Sequence, residues 1–149
     1  MPQSVPNFGA YTKVDVETAS QGKLIVMLFN GAIKRAEEAK RQMQQGQREA
    51  VHNNLIRAQD IVAELRGALN MKAGELAQNL DRIYEYFQHL LITANIKKSV
   101  EPIDECVRMM ITMRDTWEEL FSTMAKQSEG IPTPPRINQH GSSMLNLQG

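Results

Sequence analysis

Between Val51 and Asn95 the apolar residues fall into two stripes with a shared rhythm. The first is Val51, Leu55, Ala58, Val62, Leu65 and Leu69; the second is Leu76, Leu80, Ile83, Phe87, Leu90 and Ala94. Both advance by alternating steps of four and three, which keeps side chains on one face of an α-helix. Each segment therefore predicts an amphipathic helix that buries one side. Ile56, Ile61, Tyr84, Leu91 and Ile92 lie off the stripes. A solvated helix face carries charge at such places, so the surplus points to a broad core or to a surface that holds something apolar.

The flanking chain extends the pattern. Residues 1–19 are polar, contain Pro2 and Pro6, and read as an irregular arm carrying Phe8 and Tyr11. Ser20 is the expected N-cap of a first helix that reaches about Gln44, its hydroxyl accepting from an unpaired backbone N–H. That helix is apolar nearly all round from Leu24 to Phe29, then narrows to Ile33, Ala36, Ala39 and Met43. Gln45-Gly46-Gln47 is a turn into a second helix over 48–70, and 70–74 is a loop before a third helix over 75–97. Pro102 suits the first turn of a fourth helix, where its missing N–H costs nothing. This helix runs through Ile103, Val107, Met110, Trp117, Phe121 and Met124; Arg114 interrupts the stripe, and Met113 beside it takes the apolar place.

No useful strand-like alternation appears. Helices of about 23 residues are roughly 35 Å long, and short connections make each antiparallel to the one before. The expected fold is all-α: an antiparallel up-and-down four-helix bundle over 20–126. It lies between the irregular arm of 1–19 and a disordered or extended tail over 127–149. The tail holds Ile131-Pro132-Thr133-Pro134-Pro135 and ends in a faintly apolar Met144-Leu145-Asn146-Leu147.

Composition narrows the chemistry. The 149 residues suffice for one domain with a real core. Lysine plus arginine equals aspartate plus glutamate, 17 against 17, so no net field draws in nucleic acid or an anionic membrane. The lone Cys106 excludes an internal disulfide and fits a reducing compartment. No secretory signal is apparent, and the longest apolar run, Leu24 to Phe29, is far short of the roughly 20 residues that cross a bilayer. A cytoplasmic protein without membrane insertion is expected.

No metal, cofactor or catalytic site is expected. Glu85 and His89 flank Phe87 on an outer arc and read as a solvated pair, and Cys106 has no local base and reads as a half-buried structural thiol. The glycines stand scattered at turns and helix ends, not in a phosphate-binding loop. Enzymatic activity is not expected.

The off-stripe residues group into three arcs: Ile56, Gln59 and Ala63; Tyr84, Gln88, Leu91 and Asn95; and Met109, Met113 and Leu120. Each arc can be one edge of a broad core. Together they suggest a groove in which amide side chains hold an extended backbone while apolar groups accept its side chains. Methionines, nine in all, give such a groove an adaptable lining.

Several runs resemble the FliS family of flagellin export chaperones, over about Tyr11 to Leu120. They are Val16-Glu17-Thr18-Ala19-Ser20, Leu24, Met27-Leu28-Phe29-Asn30-Gly31-Ala32, Ala58 through Leu65, Leu80 through Tyr86, Leu91 through Ile96, and Arg114-Asp115-Thr116-Trp117. Gln21 and Phe29 depart from the proline and tyrosine common in that family. The resemblance implies a helical bundle that binds the C-terminal segment of flagellin in the cytoplasm and blocks its premature polymerisation. It also implies delivery to the cytoplasmic domain of the membrane export gate, and a Tyr11 that is associated with the client groove and covers it when empty. The expected client-binding residues are thus Tyr11, from the resemblance, with Ile56, Gln59, Ala63, Tyr84, Leu91, Asn95, Met109 and Met113 from the arcs. The alternative is a structural bundle whose arcs form a homo-oligomer interface; the oligomeric state is left open.

Overall fold

The computed structural model describes residues 13–130, with side chains described for 21–127. Phe8 and Tyr11, and the segment 131–149, lie outside the described residues. Four helices follow one another: α1 (Lys13–Gln44), α2 (Arg48–Gly67), α3 (Glu75–Lys97) and α4 (Val100–Gly130), with a 3-10 turn at Met71–Ala73 between α2 and α3. Each helix packs on the next, and α4 closes the ring against α1. The expected four-helix bundle is present.

Three element boundaries differ from expectation. α1 begins at Lys13, so Ser20 lies within the helix and does not cap it. Residues 13–20 contain no proline or glycine to interrupt it. α2 stops at Gly67, where the Ala68 N–H closes onto Glu64 and Leu65 carbonyls. Glycine is a poor helix former, and Asn70 then starts the 3-10 turn by accepting from the Lys72 N–H at 3.1 Å. α4 continues through Gly130, past the expected end at 126; Pro132 disfavours helix in the residue before it.

Two seams show the register. Between α1 and α4, Lys40 pairs with Asp104 at 2.7 Å and the Arg114 guanidinium donates to Asn30 at 3.0 Å. Arg114 thus serves the outer edge of this seam, while Met113 packs on the core as expected. Between α2 and α3, His52 meets Asn95 at 2.9 Å, Gln88 donates to the Gln59 carbonyl at 3.4 Å, and Arg66 grips Asp81 at 2.8 and 3.1 Å. These three rungs fall seven residues apart on both helices, the repeat of a shallow antiparallel crossing.

The core holds two kinds of packing. Along α1, Ala32, Ala36 and Ala39 are fully buried, and a Cβ on Gly31 would sit 3.4 Å from the Ile61 side chain; small residues let α1 and α2 approach closely. Larger groups fill the other end. Phe29 and Tyr84 meet edge to face with ring centroids 6.0 Å apart, Tyr84 and Phe87 lie 6.0 Å apart, and Trp117 stacks on Phe121 at 5.5 Å.

Burial pushes the Tyr84 hydroxyl up to about 12, partly offset by a hydrogen bond with Trp117. Burial likewise raises the Cys106 thiol to about 12. The thiol is fully enclosed, more so than the half-buried position expected from sequence.

Two predictions follow from this packing. A Cβ on Gly22 would sit 2.7 Å from the Phe121 ring. Gly22→Ala gains about 1 kcal/mol of helix propensity, but overpacking costs about 1–3 kcal/mol. Denaturant unfolding should therefore show a net loss of roughly 1 kcal/mol. The second concerns pH. An unfolded tyrosine releases its proton near pH 10, whereas Tyr84 in the fold keeps it to about 12. Between those values the native state binds more protons, so stability falls as pH rises. The contribution of Tyr84 is fully present below pH 10 and its loss amounts to roughly 3 kcal/mol. Tyr84→Phe should flatten the alkaline fall in melting temperature; an unchanged slope would count against it.

Candidate functional site

α3 has two flanks, and the sequence treats them differently. Toward α2 it carries the polar side chains of the three rungs. The Arg66–Asp81 pair raises the guanidinium and holds the Asp81 carboxyl below its usual range, the direct hydrogen bond being the main cause of both shifts. Toward α4 the polar links sit at the level of Tyr86 and Phe87: the Tyr86 hydroxyl donates to Glu105, and the Cys106 thiol approaches the Phe87 carbonyl at 3.8 Å. From Leu76 to Ile83 the outer edge of α3 offers α4 apolar side chains. There a groove of ≈ 690 Å³ opens.

Leu76, Leu80, Ile83 and Phe87 form one wall, and Met109, Met113, Trp117 and Leu120 the other, with Arg108, Thr112 and Thr116 along the rim of α4. Leu76 and Leu120 are 46% and 41% exposed, too much apolar surface to be ordinary at two facing positions. Phe87 and Trp117 belong at the same time to the core, so the floor is fixed while the rims stay open. Methionine and leucine walls can reshape around an occupant. The helical walls have already spent their own backbone hydrogen bonds, so such a trough receives apolar side chains better than a bare extended strand.

The expected site residues divide. Met109 and Met113 line this groove, as does Leu120 from the same arc. Tyr84 and Leu91 do not face solvent. They are 2% and 0% exposed and sit in the core, because α3 turns its Tyr84–Leu91 edge inward and its Leu76–Ile83 edge toward α4. Asn95 is occupied within the bundle, its amide meeting His52 and the Lys98 ammonium; Gln59 is half-buried, and its backbone carbonyl accepts from the Gln88 side chain. Ile56 is 38% exposed and Ala63 is exposed. Both belong to the α2 arc and are absent from the groove walls. The three arcs therefore do not converge. Tyr11 lies outside the described residues.

Sequence reading missed Leu76, Leu80, Ile83 and Phe87 as groove residues, having assigned them to a closed seam. A visible signal was their partner face on α4, where Met109, Met113 and Leu120 alternate with Thr112 and Thr116 instead of with charge.

Glu49 and His52 do stand three apart on α2, the spacing of a metal motif. His52 instead bonds Asn95, and among the described residues no group of three or more metal-ligating side chains comes together. Glu85 and His89 are exposed, with the His89 ring stacked on Tyr86 at 6.2 Å. No helix among the described residues is long and apolar enough to cross a membrane.

The core assignment generates its own test. Leu91→Asp places an unpaired carboxylate in the apolar interior, so it should unfold the bundle or lower its melting temperature by well over 10 °C, from a loss above about 4 kcal/mol. Circular dichroism on heating reads this directly.

Comparison with known proteins adds a relationship. A family model described as the flagellar protein FliS matches residues 5–124. The chain is 32% identical over 123 residues to the flagellar secretion chaperone FliS of Bacillus subtilis, spanning 83% of this chain and 92% of that protein. It is 33% identical over 116 residues to the flagellar secretion chaperone FliS of Vibrio cholerae, spanning 74% and 85%. To the flagellar secretion chaperone FliSB of Pseudomonas aeruginosa it is 31% identical over 113 residues, spanning 72% and 90%.

Proposed function

The chain belongs to the FliS family, and from that membership we propose that it is a flagellar secretion chaperone whose α3–α4 groove holds the C-terminal segment of flagellin. The observation that carries this reading is the open apolar trough between Leu76 and Leu120. The client lays apolar side chains between Ile83 and Met113, which removes them from water and from other flagellin subunits. Polymerisation is prevented because the occupied surface is the one the filament would use.

Release matters as much as capture. A segment that orders on binding loses conformational entropy, so affinity per unit of buried area stays moderate. In this reading the protein hands its client to the cytoplasmic domain of the export gate and works in the cytoplasm. It performs no covalent step. The one thiol is enclosed and held protonated, and recognition rests on shape and apolar contact, in keeping with a net charge of zero.

Calorimetry with a peptide carrying the C-terminal segment of the organism's own flagellin tests the proposal; absence of binding to the folded protein would overturn it. The groove has a sharper test. Leu120→Asp removes a contact of about 1.5–3 kcal/mol, so peptide affinity should fall roughly ten- to a hundredfold with helicity unchanged. Ile56→Asp, on the α2 arc, should leave affinity within about twofold by the same arithmetic. The reverse ranking would move the client to the α2 surface.

A further inference from the structure

We propose that the chain carries its own occupant for the α3–α4 groove: the apolar cluster Met144, Leu145 and Leu147. Four observations lead there. The family match ends at residue 124, so this segment lies outside the shared part of the chain. α4 runs on ten residues past Leu120 to Gly130, about 15 Å of helix, and directs the chain out from the end of the bundle where the groove opens. Pro132, Pro134 and Pro135 follow at once, residues unsuited to the interior of a helix.

Reach is the third point. The level of Met113 lies seventeen residues back from Gly130 along α4, about 26 Å. Fourteen residues separate Gly130 from Met144, enough for up to roughly 46 Å. The cluster can therefore return to any part of the groove with slack to spare.

The fourth is chemistry. Residues 131–149 hold one arginine, Arg136, and no acidic residue; besides the isolated Ile131 and Ile137, their large apolar side chains gather in three of the four residues 144–147. The groove likewise has one charged lining residue, Arg108. Three apolar side chains in one short stretch match a trough of leucine, isoleucine and methionine. Tethering sets their local concentration near the millimolar range, so weak contacts suffice to fill the groove until a better ligand arrives. That competition with flagellin rests on the function proposed above; the contact between segment and groove does not.

The full-length protein offers a clean experiment, because its one native thiol is fully buried and leaves an introduced cysteine as the labelling site. A nitroxide on Ser143→Cys should broaden the methyl resonances of Met109 and Met113. The broadening should persist on dilution and disappear when Met144, Leu145 and Leu147 are all changed to serine. No broadening overturns the proposal. Broadening lost on dilution, or seen between separately labelled copies, also overturns it in favour of a second copy as occupant. The same triple-serine chain should bind the flagellin peptide several-fold more tightly. Intact broadening with no flagellin binding in either chain would leave the tail contact standing and remove the client assignment instead.

Discussion

Phe29, Tyr84 and Trp117 bring α1, α3 and α4 to one point, and the rest of the bundle is arranged around that meeting. The ring contacts carry α1 onto α3, while the Trp117 side chain hydrogen-bonds the Tyr84 hydroxyl from α4. A tyrosine can be this deep only if its hydroxyl is satisfied. Once Tyr84 points inward, the rotation of α3 is fixed. Leu91 must follow it into the core, Gln88 and Asn95 must face α2, and Leu76 and Ile83 must face α4. The groove is thus a by-product of the choice of which apolar edge of α3 is central.

That choice explains how much was legible in the sequence. The four helices, the bundle and the Met113 substitution for Arg114 follow from periodicity, because a 3.6-residue repeat is a local property. Chain breaks were less legible: α1 reaches back to Lys13, seven residues before the start expected at Ser20. The arcs were visible but their direction was not. Residues 83 and 84 differ by about 100° around the helix, and both lead apolar sets. Only contacts from other helices decide which set is enclosed. The tyrosine hydroxyl and the amide of Asn95 suggested an exterior, yet each finds its partner within the bundle.

A secretion chaperone needs a scaffold that survives while its client comes and goes. Here the work is divided between seams. Alanines and Gly31 close α1 against α2, ion pairing and an amide contact edge α1 against α4, and rungs fasten α2 to α3. The fourth seam leaves apolar surface open in a groove, where it can be covered by something other than the protein's own helices. The outer groove residues Leu76 and Leu120 are exposed, whereas Leu80, Phe87 and Trp117 line the groove and belong to the core as well.

The seven-residue spacing of the rungs between α2 and α3 has a mechanical consequence. Sliding α3 along its axis would break the His52, Gln59 and Arg66 contacts together, since all three share one register. Swinging α3 about that line strains each of them only slightly and changes the width of the trough on its far side. The ladder therefore behaves as a hinge pin. It permits one motion, the one that lets side chains of different bulk be seated, and forbids the translation that would scramble the aromatic centre.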